Sequence, residues 1–309
     1  MLPDGVYTVV PTPFDAAGAL DVDSLARLVG TLAGLGVEGM LVLGVMGEAP
    51  KLLPAERRAV VETSLAAAGD SCRVVVGATH PSVAGARALA SAAKAAGAAA
   101  VLVAPPRLDR AAGDDGIVRY FAEVAGDDDL EIVLQDHPAS SGVTLAPELI
   151  ARIAEAVPQV RSVKLEDPPT PAKTARVLEL APVKVFGGQG GVFLLEELER
   201  GAHGTMTGFA FPEVLVDVYR AHATGDGERA ADVFFRHLPA IRYEFQDAIG
   251  LALRKRAYVA RGTIADAHVR APRGAARRGQ RRAVRPPAAT HRPVGLTGRR
   301  GGTRLPVNS

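Results

Sequence analysis

The sequence has very little cysteine and no long apolar run. Cys72 is the single cysteine among 309 residues, so an intramolecular disulfide cannot form. The first residues lack the basic start and the apolar stretch of a secretory signal peptide. No segment approaches the roughly 20 uninterrupted apolar residues of a membrane-spanning helix, because Gly, Lys, Arg or Asp interrupts each alanine-rich stretch. We therefore expect a cytoplasmic protein with no membrane partner.

The last 39 residues lack lysine and acidic side chains. From Ala271 onward the chain carries ten arginines and is otherwise rich in Gly, Pro and Ala. An arginine-rich tail can bind nucleic acid, but this one has no aromatic side chain to stack on bases. Arg, Gly, Pro and Ala are also the residues that GC-rich codons encode. We expect residues 271–309 to be disordered or the product of a shifted reading frame, and we expect no nucleic-acid partner.

Up to about residue 222, short β-branched runs alternate with amphipathic stretches, which is typical of βα units on a parallel sheet. The eight predicted strands span residues 6–11, 39–43, 73–77, 99–104, 130–135, 160–165, 183–186 and 203–207. No glycine-rich dinucleotide loop follows the first strand, which favours a closed barrel over an open sheet. We predict an α/β fold, with a (β/α)8 TIM barrel over 1–222 and a C-terminal helical extension over 223–270. Its helices are predicted near 227–238 and 241–261.

Lysine is scarce, with six against thirty arginines, so each lysine position is informative. Lys94, Lys173 and Lys255 fall on predicted helices, where a solvated face is the expected environment. Lys164 stands inside an apolar strand near its carboxyl end, which is where (β/α)8 enzymes hold their reacting groups. Strand alternation places Ser162 and Lys164 on one face. If that face is the barrel interior, desolvation favours the neutral amine, which is a nucleophile.

Several motifs together resemble one enzyme family. They are Val10-Pro11-Thr12-Pro13-Phe14, the Gly44-x-x-Gly47-Glu48 loop, Val103-Ala104-Pro105, Pro138 and Gly142, Ser162-Val163-Lys164, Phe186-Gly187, and Gly201-Ala202-His203-Gly204. Over roughly residues 3–265 the chain resembles the dihydrodipicolinate synthase and N-acetylneuraminate lyase family of pyruvate-dependent (β/α)8 enzymes. The resemblance implies a lyase or aldolase in which Lys164 forms a Schiff base with a small 2-oxo acid, without a metal or other cofactor. It also implies a homo-oligomer, either a tetramer or a dimer.

The resemblance further implies that backbone amides around Val45 and Met46 hold the carboxylate of the 2-oxo acid. Gly44 and Gly47 would let this turn present its N–H groups inward as a nest of donors. The full set of expected substrate-binding residues is Gly44, Val45, Met46, Gly47, Thr12, Gly187 and Met206. We expect Glu48 to be a buried acceptor for neighbouring loop amides.

The chain also departs from the family pattern at the residues that move protons. Val45 and Met46 replace two threonines, and Gln135 replaces the tyrosine at the end of strand five. A second tyrosine, which the family places after strand four, appears as Pro106 or Arg107. In dihydrodipicolinate synthases an arginine binds the aldehyde partner's carboxylate, whereas this chain has Ser140 at that position. These departures argue against the lysine-biosynthetic reaction itself.

A replacement for the tyrosine relay is therefore needed. We predict His137 as the acid–base group, because an imidazole titrates close to neutral pH, and we expect Gln135 to orient a carboxylate or a water. Asp136 and Glu166 are further acid–base groups near the carboxyl ends of the strands. The predicted catalytic residues are thus Lys164, His137 and Gln135.

Four alternatives stay open at the level of sequence. The same lysine chemistry could dehydrate a 2-keto-3-deoxy sugar acid instead of breaking a carbon–carbon bond. Asp136, His137 and either Glu166 or Asp167 could hold a divalent metal, as in class II aldolases, although metal sites usually contain more histidines. Lys164 could be a structural partner of Glu166 or Asp167. Because the relay is missing, the barrel could also bind a 2-oxo acid without catalysis.

Overall fold

A computed structural model describes residues 1–108 and 112–272, and in these ranges eight parallel strands form a closed barrel. The strands are β1 (Gly5–Val9), β2 (Gly39–Val42), β3 (Arg73–Gly77), β4 (Ala100–Val103), β5 (Glu131–Asp136), β6 (Val160–Leu165), β7 (Lys184–Gly187) and β8 (Gly204–Thr207). Each strand pairs with the next, and β8 pairs with β1. The predicted (β/α)8 barrel is confirmed. The predicted tail lies outside the described residues from residue 273 onward.

Helices follow the strands and cover the outside of the barrel. They are α1 (Val22–Ala33), α2 (Pro54–Ala68), α3 (Val83–Ala95), α4 (Gly113–Ala125), α5 (Pro138–Ser141), α6 (Pro147–Ala156), α7 (Thr170–Leu180), α8 (Leu194–Leu198) and α9 (Pro212–Ala223). Local chemistry sets their limits: Asp21 accepts a hydrogen bond from the Ser24 amide at 2.9 Å and so caps the start of α1. The described residues contain no helix long and apolar enough to cross a membrane.

Two further helices, α10 (Gly227–Glu244) and α11 (Gly250–Ala260), follow the barrel. The predicted break near residues 239–240 is wrong, because α10 continues through Pro239. Proline removes one helical hydrogen bond, but burial of Phe234 and Ile241 on either side of it holds the helix together. Helix α10 ends instead at Glu244, so the break between the two helices lies after that residue.

The barrel interior contains one apolar cluster, and a larger apolar layer lies between the strands and the helices. Tyr7, Leu102, Phe186 and Met206 belong to the interior cluster, and the Tyr7 and Phe186 rings meet edge to face with centroids 5.2 Å apart. At the amino end of the strands, Glu131 accepts hydrogen bonds from the Ser162 hydroxyl at 2.6 Å and the Leu2 amide at 2.8 Å. These contacts close the amino end of the barrel.

Candidate active site

Lys164 lies inside the barrel, at the carboxyl end of β6. It pairs in register with Gln135 of β5 on one side and with Phe186 of β7 on the other, and it is 5% exposed. Val163 and Leu165 point the other way, into the apolar layer beneath the helices. The predicted alternation of this strand is therefore confirmed, and a buried amine stands at the end of the barrel where (β/α)8 enzymes react.

The Glu166 carboxylate is held next to this amine. Its Oε2 atom lies 3.3 Å from Lys164 Nζ and accepts a hydrogen bond of 2.9 Å from Gln135 Nε2. The side chain of Gln189 donates to the Glu166 backbone carbonyl. Gly188 leaves the necessary space, since a Cβ atom there would collide with the Glu166 side chain. Amine, carboxylate and amide thus form one hydrogen-bonded group at the carboxyl end of the barrel.

Asp136 does not join this group, so its expected place among the acid–base groups at the barrel mouth is wrong. The residue is fully buried on the helix side of β5, with Oδ2 2.6 Å from Lys173 Nζ. Burial raises the pKa of Asp136 to about 6, while the Lys173 ammonium acts in the opposite direction. Strand alternation explains the orientation, because Gln135 points inward and the next residue must point outward.

His137 is the residue that precedes α5. Its Nδ1 atom lies 2.7 Å from the hydroxyl of Ser140, and its backbone carbonyl accepts hydrogen bonds from Ser140 and Ser141. These contacts bind the imidazole to the turn that it begins, whereas Glu166 contacts the Lys164 amine directly.

The expected carboxylate-binding turn has the geometry of a 3₁₀ turn over Val45–Gly47. The amides of Gly47 and Glu48 donate within the turn, to Gly44 at 3.0 Å and to Val45 at 3.2 Å. Thr12 Oγ1 donates to the Gly47 carbonyl at 2.6 Å and ties the turn to the end of β1. Val45 and Met46 occupy the first two positions, whose N–H groups have no acceptor inside the turn. Two neighbouring amides are thus available to an anion.

Two other expected substrate-binding residues are deeper in the barrel. Met206 is fully buried in the interior cluster. Gly187 ends β7, where its carbonyl accepts a hydrogen bond of 2.9 Å from the Thr205 hydroxyl and its Cα packs against the Glu197 carboxyl group. Gly187 thus faces α8 on the outside of the barrel, in register with Leu165, whereas Met206 faces the interior.

A cavity of about 1090 Å³ opens at the carboxyl ends of the strands. Its lining there includes Gly44, Val45, Thr79, His80, Ala104, Pro105, Gln135, Ser140 and Ser141. It continues outward between α2 and α3, past Val61, Leu89 and Ala92. The cavity therefore reaches both the turn and the amide that holds Glu166.

The donor set of the class II alternative does not converge. Asp136 is directed at Lys173 and Glu166 at Lys164, so their carboxylates serve different amines. Among the residues that the structure describes, no group of three His, Cys, Asp or Glu side chains could hold a metal ion.

The expected solvated environment of Lys173 and Lys255 is also wrong. Lys173 contacts Asp136 and Asp167 with a side chain that is 10% exposed. Lys255 is fully buried, with Nζ 2.7 Å from Oε1 of Glu48. Glu48 is buried as expected, and it accepts from the backbone amide of Arg270 and also from the ammonium groups of Lys51 and Lys255. Helical spacing gave no signal for this pair, because its partners are 207 residues apart.

Comparison with known proteins gives one consistent result. The sequence model of the dihydrodipicolinate synthetase family matches residues 2–288 of this chain. L-2-keto-3-deoxyarabonate dehydratase from Azospirillum brasilense is 30% identical over 277 residues, which cover 87% of this chain and 88% of that protein. The crystal structure of dihydrodipicolinate synthase from Rhodopseudomonas palustris superposes with a TM-score of 0.85 at 38% identity, covering 90% of this chain and 94% of its own. A prophage protein of the dihydrodipicolinic acid synthase family from E. coli K12, solved with pyruvate, gives 0.83 at 25% identity, covering 91% and 96%.

Proposed function

The chain belongs to the dihydrodipicolinate synthetase family of lyases and aldolases, and from this premise we propose that Lys164 forms a Schiff base with a small 2-oxo acid. The observation that carries the proposal is the buried Lys164 amine with the Glu166 carboxylate 3.3 Å away, at the carboxyl end of a (β/α)8 barrel. A solved member of the family that contains pyruvate supports this class of substrate.

The substrate carboxylate would bind at the amides of Val45 and Met46. An anion there satisfies two backbone donors and needs no cationic side chain. With its carboxylate on this turn, the 2-oxo acid would direct its C2 carbonyl at Lys164. The backbone supplies the donors, which explains why the family's two threonine side chains are dispensable for this step.

Glu166 is the proton-transfer group in this proposal, in place of His137. Transfer of a proton from the Lys164 ammonium to Glu166 frees the amine, whose attack on C2 gives a carbinolamine; the carbinolamine hydroxyl leaves as water when Glu166 donates that proton to it. The resulting carboxylate then removes a proton from C3, and the Schiff base becomes an enamine. Gln135 holds the carboxylate through its Nε2 hydrogen bond and thereby fixes the position from which the proton moves.

Dehydration of a 2-keto-3-deoxy acid is the reaction that these groups support best. The enamine expels the hydroxyl of C4, which takes the proton from Glu166 and leaves as water, and hydrolysis of the remaining Schiff base returns the free lysine. The step needs only one acid–base group close to the amine. Ser140 stands where an arginine would bind the carboxylate of an aldehyde partner, and a relative with 88% coverage is a 2-keto-3-deoxyarabonate dehydratase.

Borohydride trapping tests the Schiff base. Incubation with pyruvate followed by reduction should give a covalent mass increase that maps to Lys164. Lys164→Arg should give no adduct. Lys184→Arg is the matched control and should react like the wild type, because Lys184 pairs with Asp4 at the opposite end of the barrel. A folded protein that forms no adduct with any 2-oxo acid, or forms it at another lysine, would overturn the proposal.

Product analysis distinguishes dehydration from carbon–carbon cleavage. With a 2-keto-3-deoxy sugar acid, dehydration gives a product that keeps every carbon atom and has lost one water. Aldol cleavage gives pyruvate and an aldehyde, which lactate dehydrogenase reports through the oxidation of its cofactor. Release of pyruvate in stoichiometric amount would assign the chain to the cleavage reaction and keep the Schiff base.

We further propose that the protein is a homo-oligomer. Leu53 and Leu108 are large apolar side chains with exposed fractions of 67% and 40%, and both lie in loops at the carboxyl end of the barrel. Burial of such side chains favours self-association. Light scattering after size exclusion should give a multiple of the chain mass, and Leu53→Asp should lower it. A monomeric wild type would contradict this proposal.

A further inference from the structure

Residues 264–271 follow α11 and lie against the loops at the carboxyl end of the barrel. We call this segment the C-terminal strap. The Ala265 amide donates to the Ser24 hydroxyl at 3.0 Å, and the side chains of Ile264 and Val269 are buried. The strap is thus packed on the barrel although it contains no helix or strand.

Glu48, the residue directly after the carboxylate-binding turn, is the point where the strap and α11 meet the turn. Its Oε1 atom accepts from Lys255 at 2.7 Å. Its Oε2 atom accepts from Lys51 at 2.8 Å and from the Arg270 amide at 3.1 Å. Lys255 also donates to the carbonyl of His268 at 2.7 Å. One buried carboxylate therefore joins the turn to a helix and to the strap.

Arg270 fixes the strap to the first turn of α2 and to the loop between β1 and α1. Its guanidinium donates to both carboxylate oxygens of Glu56, at 2.7 and 2.5 Å. It also donates to the Gly18 carbonyl at 2.9 Å and lies 4.1 Å from the centre of the Phe14 ring. Bidentate pairs of this kind are among the stronger and more directional contacts in proteins. Lys255 lies 4.4 Å from the same ring, so both cations share it.

Apolar packing reaches the turn from the same side. Val269 of the strap clusters with Leu251 and Ala252 of α11, and Met46 packs against this cluster. Met46 and Glu48 stand on either side of Gly47. The turn is consequently held by the strap and α11 at two residues, one through apolar contact and one through charge.

The backbone of the turn needs such support. Leu43 and Glu48, which enclose it, have φ values of 56° and 54°, in the left-handed region that side chains other than glycine disfavour. Conformations of this kind are strained and persist where surrounding contacts impose them. Glu48 is in that conformation while its carboxylate is bound to Lys255, Lys51 and Arg270.

We propose that the strap, through Arg270 and Lys255, positions the Val45–Met46 amides and thereby sets the affinity for the substrate carboxylate. This inference rests on the proposed function, because it assigns the amides to the 2-oxo acid. Arg270 and Lys255 are positioning residues that act through Glu48 and the strap backbone. Without them the turn keeps its sequence but loses the constraint on Glu48, and the two N–H groups no longer converge on one anion.

The test compares Arg270→Ala with Arg236→Ala, a matched control whose guanidinium pairs with Asp232 on the exposed face of α10. The readout is the pyruvate concentration that gives half-maximal trapping at Lys164, together with the trapping rate at saturating pyruvate. Arg270→Ala should raise the half-saturating concentration about tenfold or more and leave the saturated rate within a few-fold, since a charge-assisted pair contributes about 1.5–3 kcal/mol. Arg270→Lys, which keeps the charge, should recover part of the affinity.

Hydrogen exchange gives a second readout that needs no ligand. The amides of residues 44–48 should exchange faster in Arg270→Ala and in Glu56→Gln than in the wild type, while Arg236→Ala leaves them unchanged. Folded variants with wild-type half-saturation and wild-type exchange would overturn the positioning role even if the wild type forms its Lys164 adduct. A wild type without any adduct would instead overturn the proposed function, and exchange at the turn would still decide whether the strap constrains it.

Discussion

Gln135 and Glu166 are the two side chains that contact one another beside the Lys164 amine. In the resembling enzymes a tyrosine occupies the position of Gln135 and moves protons itself. An amide cannot do so, but it can donate to a carboxylate, and the 2.9 Å hydrogen bond to Glu166 does this. In the proposed mechanism, the Glu166 carboxylate after β6 takes the role that the resemblance assigns to a tyrosine on β5.

Replacement of Glu166 by glutamine tests this assignment. Glu166→Gln keeps the shape of the side chain and removes its ability to transfer protons, so we expect turnover to fall about 10²- to 10⁴-fold. His137→Gln should keep turnover within a few-fold, because the structure binds that imidazole to Ser140. Steady-state rates on a 2-keto-3-deoxy acid measure both. The reverse order, a large loss in His137→Gln and a small one in Glu166→Gln, would restore the imidazole as the relay.

The sequence could predict part of this site from local rules. Lys164 follows from its place in an apolar strand, and Glu166 lies two residues further on, so alternation puts both on one face. The contact between Gln135 and Glu166 could not be predicted, since it is a hydrogen bond between β5 and the loop after β6. The ion pair between Glu48 and Lys255 could not be predicted either, because no local sequence pattern identifies a lysine that pairs with a carboxylate 207 residues away.

At the scale of the elements, strands were easier to predict than helix ends. β3 and β6 span the residues expected for them. The break between α10 and α11 was misplaced at Pro239. Proline is a local signal, whereas the real end of α10 depends on Glu244, whose carboxylate accepts from Arg254 at 2.5 Å and from the Ala210 amide at 3.0 Å. Such tertiary contacts have no periodic pattern in the chain.

Glu197 is buried where α8 packs on β7, and its titration makes the stability of the fold depend on pH. Burial raises the pKa of Glu197 from 4.5 to about 7, while a hydrogen bond from Thr170 opposes the shift. The folded chain therefore binds this proton more tightly than the unfolded chain. The stability contributed by the protonated group is fully present below about pH 4.5 and is lost as the pH rises to about 7.

Glu197→Gln should remove the loss of stability that the wild type undergoes as the pH rises, because glutamine does not ionise. On going from pH 5 to pH 8, we expect the free energy of unfolding of the variant to rise relative to that of the wild type by up to roughly 3 kcal/mol. Urea unfolding at the two pH values gives the difference in the free energy of unfolding. Glu199→Gln, on the exposed residue that follows α8, is the control and should show no such change. Equal differences between Glu197→Gln and wild type at both pH values would contradict the account.

At the scale of the whole molecule, truncated chains can show where the part of the sequence that the fold needs comes to an end. A chain that ends at Pro272 keeps Arg270 and every contact of the strap, so we expect its melting temperature and its activity to match those of the full chain. A chain that ends at Gly262 lacks the strap and should bind pyruvate at least tenfold more weakly, in line with the loss of charge-assisted contacts. Thermal melts and borohydride trapping measure the two properties. Loss of folding in the chain ending at Pro272 would show that residues 273–309 belong to the fold.

The contact between Glu48 and Lys255 also has a consequence for synthesis on the ribosome. The two residues are separated by 207 positions, and Arg270 follows later still. Ribosomes add about 5–20 residues per second, so roughly 10 to 40 s pass between the synthesis of Glu48 and that of Lys255. During that time the nascent chain carries the turn without the contacts of Glu48 with Lys255 and Arg270. If the strap positions the turn as proposed, the turn becomes ordered for a carboxylate only after Arg270 has been synthesised.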